Sequence, residues 1–152
     1  MKQIFPIVPG SNGPFYLMGG ISLFMLALII FLMYIAFSSR NAKFEVSPEG
    51  IRIRGDIYGR MIRMEKLLTD EAKAVRLNED SEYRLRWKSN GSGLPGYKAG
   101  WFKLRNREKA LVFITDLKRV VYIPTRDGYS IMLSVADPEV FIEALRRSAR
   151  SI

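Results

Sequence analysis

The sequence contains neither cysteine nor histidine among its 152 residues. Without cysteine it can form no disulfide, thiol nucleophile or thiolate metal site. Without histidine it lacks the Ser-His and Cys-His catalytic pairs, the usual zinc sites and an imidazole base that titrates near neutral pH. An enzyme would have to rely on carboxylates, lysine, tyrosine or serine. The composition therefore favours a binding protein, and we expect no catalytic residue, no metal site and no cofactor.

Charge is missing from residues 15–37, a run of 23 residues of which 20 are apolar. A helix of this length spans about 34 Å, which exceeds the hydrocarbon thickness of a bilayer, about 30 Å. Tyr16 and Tyr34 lie near its ends, where amphipathic rings favour the headgroup level. We therefore predict a transmembrane helix over 15–37, preceded by a short tail, 1–14. A cleaved signal peptide fits less well, because its apolar stretch is shorter and its start is basic.

Basic residues near the span predict its orientation. Only Lys2 precedes the span, whereas Arg40, Lys43, Arg52 and Arg54 follow it. An excess of Lys and Arg marks the cytoplasmic side. We therefore expect a single-pass membrane protein with a cytoplasmic C-terminal domain. Arg40 and Lys43 are predicted to anchor the helix end, together with the two tyrosines.

The remaining residues have the composition of a soluble domain. Lys2 is the only charge before residue 39, so this part carries +8 of the formal net charge of +9. The mean hydropathy near zero averages an apolar span with a basic domain. We predict a juxtamembrane linker over 38–43 and one domain over 44–150.

Strand patterns dominate the predicted domain. Apolar and polar residues alternate on both sides of a turn at 48–50, and again over 83–88, where the polar positions are all basic. Residues 89–100 contain four glycines and a proline and are predicted to be a loop. Asp137 and Pro138 then begin a C-terminal helix. These patterns predict a mainly β fold, a partly open barrel of about seven antiparallel strands capped by one helix.

The order of these elements resembles the bacterial pleckstrin-homology-like (PH-like) family over about residues 42–148. The similar stretches are 44–51 (FEVSPEGI), 58–60 (YGR), 93–97 (GLPGY), 100–102 (GWF) and 137–142 (DPEVFI). The resemblance implies a small split barrel with a C-terminal helix, often beside membrane spans, and a binding role. Together with the predicted span, it implies a location in the bacterial inner (plasma) membrane. It implies no reaction, and no ligand-binding residue can be carried across.

Basic residues on or beside the predicted strands are candidate contacts for anionic lipid headgroups. Alternation with apolar residues places most of them on the face opposite the core. An ordinary solvated face is the alternative, because acidic residues are interspersed. The candidates are Arg52, Arg54, Arg60, Arg63, Arg84, Arg86 and Lys88.

The predicted loop over 89–100 is the candidate surface for a protein partner, since loops of this length are often functional. Its candidate contact residues are Leu94, Pro95, Tyr97 and Trp101. The favoured hypothesis is a non-catalytic module for protein–protein contact, assembly or homo-oligomerisation at the membrane. Lipid binding by the basic strands is the second hypothesis.

The sequence disfavours two other functions, a carboxylate-dependent enzyme and a nucleic-acid-binding protein. Carboxylates group at 70–71 and 79–82, but neither group has a calcium-loop pattern, and both fit solvated turns between strands. A carboxylate-dependent enzyme is therefore the weakest of the three hypotheses. Nucleic acid would explain the net positive charge, but a membrane anchor disfavours it and no nucleic-acid-binding motif is present.

Overall fold

The computed structural model describes residues 3–151, apart from the side chains of residues 38–41, Ser92 and Leu94. The chain divides after Phe37 into two compact units.

The first unit contains most of one long helix, α1 (Gly13–Asn41). Its stretch Gly13–Phe37 is long and apolar enough to cross a membrane, and none of the window that meets this test is buried. The predicted membrane helix is thus a candidate span in the structure. The helix continues through Asn41, so residues 38–41, predicted to belong to a linker, are helical. Of the predicted anchor residues, Tyr16, Tyr34 and Lys43 are exposed, whereas the Arg40 side chain lies outside the described residues.

A three-stranded antiparallel sheet opens the second unit. Its strands are β1 (Lys43–Ser47), β2 (Gly50–Arg54) and β3 (Met61–Arg63), paired in that order. The predicted alternation is present in β2, because Ile51 and Ile53 are buried while the arginines between and after them are exposed. The turn before β2 requires glycine. Gly50 has φ +141°, and a Cβ there would lie 1.9 Å from the Ile62 carbonyl oxygen.

The other six strands form one mixed sheet with the spatial order β4-β8-β9-β7-β6-β5. Their bounds are β4 (Lys73–Val75), β5 (Leu85–Leu94), β6 (Tyr97–Leu104), β7 (Lys109–Ile114), β8 (Val120–Pro124) and β9 (Tyr129–Ser134). Residues 3–151 thus contain nine strands, more than the seven predicted, and β3 and β4 have only three residues each. Because β9 inserts between β7 and β8, it runs parallel to β7, where the sequence predicts only antiparallel strands.

The predicted loop over 89–100 is wrong, because these residues continue a hairpin. Strands β5 and β6 pair along their whole length, from Leu85 opposite Leu104 to Leu94 opposite Tyr97, with two register shifts in β5. Gly91 and Gly100 face each other where the strands cross closely. A Cβ on Gly100 would lie 2.5 Å from the Asn90 carbonyl oxygen, and its φ is +113°. The glycines that indicate a loop are therefore needed for a sharply bent hairpin.

Two hydrophobic cores lie on the two faces of the six-stranded sheet. The first core joins one face to the three-stranded sheet and to helix α2 (Pro138–Ala149), and it includes Ile51, Phe113 and Leu145. The second core covers the opposite face, where Val75 and Leu77 pack with Phe102, Leu104, Val112 and Tyr122. All buried members of both cores fall between residues 51 and 145. The domain therefore supplies its own hydrophobic interior.

Helix α2 begins as predicted at Asp137, whose side chain accepts a hydrogen bond from the Val140 amide at 3.2 Å. Ile142 and Leu145 are its buried residues. The predicted fold class, mainly β with one C-terminal helix after an apolar N-terminal helix, is confirmed.

Candidate functional site

The predicted basic residues do not gather on one pair of strands. Arg52 and Arg54 lie on β2, and Arg63 ends β3. Two of these three arginines have a carboxylate partner. Arg54 lies 3.3 Å from Glu45, and Arg63 lies 3.5 Å from Glu65. Two of the three predicted lipid contacts in this sheet are therefore already paired with a glutamate.

Arg84, Arg86 and Lys88 belong to the other sheet. Arg86 and Lys88 are exposed on β5, its edge strand, and Arg84 directly precedes that strand. Arg84 folds back and donates hydrogen bonds to the backbone carbonyls of Leu77, at 3.1 Å, and Asn78. Contact of these residues with lipid stays a prediction.

The four residues predicted to contact a partner have different environments. Tyr97 is buried in the first core and donates a hydrogen bond to Asp56, so it belongs to the interior rather than to an exposed surface. Pro95 is exposed at the hairpin turn, and Trp101 is partly buried. The Leu94 side chain lies outside the described residues.

Trp101 instead centres a group of cations and rings. The Lys109 ammonium nitrogen lies 4.4 Å from the centroid of the Trp101 ring, and the Arg60 guanidinium carbon lies 5.3 Å from it. The Tyr129 ring meets the indole edge-on, with centroids 5.1 Å apart. We call these four residues the Trp101 cluster. Each cation–π contact at such a partly exposed site stabilises by about 0.5–1 kcal/mol.

The loop between β2 and β3 carries Arg60 to this position. The Arg60 carbonyl accepts a hydrogen bond from the Ile53 amide at 2.9 Å. Asp56 accepts a second bond, 2.9 Å from the Tyr58 amide. Burial raises the pKa of Asp56 above its ordinary value, although the bond from Tyr58 opposes the shift. The Tyr58 hydroxyl donates to the Asn90 side chain at 3.4 Å, which connects this loop to β5.

A row of side chains runs across the sheet beside the Trp101 cluster. Trp87 on β5 is paired with Lys103 on β6. Lys103 is in turn paired with Lys109 on β7, and Lys109 with Tyr129 on β9. Directly paired residues lie on the same face of a sheet. Lys103 and Lys109 therefore place like charges side by side, an arrangement that is unfavourable for folding.

Apolar side chains are exposed close to these cations. The structure describes four large apolar residues of the domain as exposed, and two of them are Trp87, with 65% exposure, and Ile57, with 69%. Ile57 lies in the loop that carries Arg60, and Trp87 is paired with Lys103. We call Arg60, Trp87, Trp101, Lys103 and Lys109, with Ile57, the basic–aromatic surface.

The cations of the basic–aromatic surface lack acidic partners. Among the described side chains, no carboxylate lies within 4 Å of Arg60, Lys103 or Lys109, whereas six ion pairs form elsewhere in the domain. Sequence reasoning missed Trp87, Lys103, Lys109 and Ile57. Lys103 and Lys109 lie three residues before and three residues after Asn106, the centre of the turn, and that symmetry is the signal that would have paired them.

The acidic residues do not form a second centre. The Asp80 side chain accepts a hydrogen bond from the Arg76 amide at 2.7 Å, and Glu79 forms an ion pair with the Arg76 side chain at 3.6 Å. Within residues 3–151, no group of three or more acidic side chains is arranged to hold a metal ion.

The fold and its surfaces together define a class. Two sheets and a C-terminal helix, built around two hydrophobic cores, have the architecture of a PH-like domain. A family model described as bacterial PH domain matches residues 42–149, and the chain belongs to this family. No curated protein and no solved structure gave a significant match. The predicted family is confirmed, and membership supports a role as an interaction module in a class that is generally non-catalytic.

Proposed function

We propose that this protein is a membrane-anchored PH-like module that docks on an anionic bilayer through its basic–aromatic surface. The observation that carries the proposal is the row of Trp87, Lys103 and Lys109, beside Arg60, without acidic partners among the described side chains. Cations near an anionic membrane surface each contribute about 1 kcal/mol. Three such cations favour that surface by about 3 kcal/mol, roughly a hundredfold. An exposed tryptophan suits the headgroup region, because its ring is apolar and its N–H is polar.

The N-terminal helix makes weak docking sufficient. A domain tethered by α1 meets the bilayer at a high effective concentration, so it needs little intrinsic affinity. In this proposal the anchor lies in the bacterial inner membrane with the domain on the cytoplasmic side. The orientation is supported by the four basic residues that follow the span against the one that precedes it.

Vesicle binding by the domain without its helix tests the docking. Residues 42–152 can be produced alone, because both cores are built within them. We expect this fragment to sediment with vesicles that contain phosphatidylglycerol, less so as salt rises, and weakly with pure phosphatidylcholine. A folded fragment that leaves anionic vesicles unbound at low salt would exclude docking.

A reporter fusion tests the orientation. An enzyme that is active only in the cytoplasm, fused after the last residue, should be active. If that fusion is inactive, and a fusion to an enzyme active only outside the cytoplasm is active instead, the predicted topology is reversed. The domain would then have no access to cytoplasmic lipids.

Assembly through the edge of the larger sheet is a second candidate function. β5 has ten residues at this edge, and it pairs only with β6 within the described residues. An exposed edge strand can accept a strand from a partner protein or from a second copy. Arg86, Lys88 and the two register shifts limit such pairing to a matched partner, because edge charges and bulges disfavour unspecific association.

The mass of the full chain in detergent tests this second function. Ser89 is the extra residue of a bulge and has no paired residue in β6. Proline has no N–H and is tolerated at bulges and on edge strands, so Ser89→Pro should hinder strand addition here, provided that its circular dichroism spectrum matches that of the wild type. Assembly predicts a mass above the monomer that returns to the monomer in Ser89→Pro. A monomeric wild-type protein without a co-purifying partner would count against it.

A further inference from the structure

Four arginines line one open cleft at the end of the larger sheet. The cleft has a volume of about 550 Å³, and its lining residues are Arg84, Leu85, Arg86, Arg105 and Arg107. We call it the arginine cleft. It shares no residue with the basic–aromatic surface.

Backbone hydrogen bonds bring the arginines together from two places in the chain. The turn between β6 and β7 is closed by bonds from the Leu104 amide to the Glu108 carbonyl, at 2.8 Å, and from the Arg107 amide to the Leu104 carbonyl, at 3.0 Å. The Arg105 amide donates to the Arg84 carbonyl at 2.9 Å. This last bond fastens the turn to the start of β5, which carries Arg86.

Arg107 occupies an unusual backbone conformation for its residue type. Its φ is +71°, and it is the one non-glycine residue with a positive φ among those described. Glycine or asparagine adopts this left-handed region at lower cost, because a larger side chain crowds its own backbone. The Arg107 side chain lines the cleft from this position.

The positive charge of the cleft is not neutralised by acidic side chains. Among the described residues, no carboxylate lies within 4 Å of Arg86, Arg105 or Arg107. The adjacent Glu108 is already engaged, since one of its oxygens accepts from Tyr122 at 2.7 Å and from Ser130 at 3.0 Å. Arg86, Arg105 and Arg107 therefore have no ion-pair partner among the described side chains.

We propose that the arginine cleft binds a phosphoryl group that carries two negative charges. Guanidinium forks match phosphate oxygens with paired hydrogen bonds, and several forks favour a dianion over a singly charged carboxylate. The phosphoryl group can come from free phosphate or from a phosphomonoester headgroup of a lipid. The two sources share this chemistry and are separated by the experiment.

The test uses the full chain in nanodiscs of neutral phosphatidylcholine. Calorimetric titration with inorganic phosphate should give saturable binding, and acetate at the same ionic strength should bind much more weakly. Arg107→Gly should weaken phosphate binding about tenfold without lowering the melting temperature, because glycine accepts the left-handed backbone. Arg105→Lys should weaken it less but in the same direction, since charge is kept and the fork is lost. Arg150→Ala is the control for charge, because Arg150 is exposed and lies beyond α2.

A second arm identifies the source. Nanodiscs that contain phosphatidic acid, a phosphomonoester, should show reduced binding of added phosphate if the headgroup fills the cleft. Unchanged phosphate binding in those nanodiscs supports free phosphate. Three results would overturn the proposal: no saturable phosphate binding at low salt, equal binding of acetate, or equal losses in Arg107→Gly and Arg150→Ala. The vesicles used to test docking contain phosphatidylglycerol, a phosphodiester with a single negative charge and no phosphoryl dianion, so the two proposals can fail separately.

Discussion

Replacing Lys103 with glutamate should stabilise the fold while it weakens membrane docking. Lys103 is exposed, is paired directly with Lys109 across β6 and β7, and has no acidic partner among the described side chains. In Lys103→Glu the like-charge pair becomes an opposite-charge pair. A basic residue that serves only stability would show the reverse, since its loss would destabilise the domain.

The magnitudes follow from the pairing. A cross-strand charge pair contributes about 0.2–1 kcal/mol, and here a repulsion is also removed. We expect a gain of about 1 kcal/mol in the free energy of unfolding, or a rise of about 4 °C in melting temperature. The change from one positive to one negative charge costs about 2 kcal/mol at an anionic surface, which corresponds to about thirtyfold weaker binding.

Both quantities can be measured on the 42–152 fragment, by thermal unfolding and by vesicle sedimentation. Lys118→Glu is the matched control for binding. It makes the same charge change in the turn between β7 and β8, at the end of β7 opposite to Lys109. Unchanged vesicle binding in Lys103→Glu, or an equal loss in the control, would refute specific docking. If Lys103→Glu instead lowered the free energy of unfolding by more than about 1 kcal/mol, the repulsion inferred between Lys103 and Lys109 would be refuted.

Three further predictions concern the fold. Gly100→Ala should lower the free energy of unfolding of the fragment in urea by about 3 kcal/mol or more, because its Cβ would lie 2.5 Å from the Asn90 carbonyl oxygen at a positive φ. Gly128→Ala, at φ +79° in open space, should lower it by only about 1 kcal/mol. Equal losses of stability in the two variants would contradict the close crossing of the strands. Burial raises the pKa of Asp56 above the ordinary value of 3.8, so ionisation of this carboxyl lowers the stability of the fold as the pH rises above about 4. Asp56→Asn should therefore have a higher melting temperature than the wild type at pH 7, and the difference should vanish below about pH 4. Burial also raises the pKa of Tyr122 to about 12, so stability falls above pH 10; ultraviolet titration should show one tyrosine that ionises late and is missing in Tyr122→Phe, and an unchanged titration curve would contradict its burial.

Local patterns were enough to predict much of the fold. The uncharged run at 15–37, the turn before Gly50 and the cap at Asp137 are each encoded within a few neighbouring residues. Such signals depend on charge, backbone conformation and helix ends, so they can be interpreted without tertiary information.

Features that depend on distant pairing could not be predicted in the same way. The parallel arrangement of β7 and β9 arises because β9 inserts between two strands that precede it in the chain. Gly91 and Gly100 indicate a loop until their close approach in the hairpin is known. The Trp101 cluster draws residues from three strands and a loop, and only the register of those strands brings them together.

The fluorescence of Trp87 in the full chain tests the central claim most directly. The protein has two tryptophans, so Trp101→Phe leaves Trp87 as the single reporter and keeps an aromatic ring in the cluster. Nanodiscs with a spin-labelled headgroup lipid should quench Trp87 strongly when they contain phosphatidylglycerol, and added salt should relieve the quenching. Equal quenching in neutral and anionic nanodiscs, unaffected by salt, would contradict docking through the basic–aromatic surface.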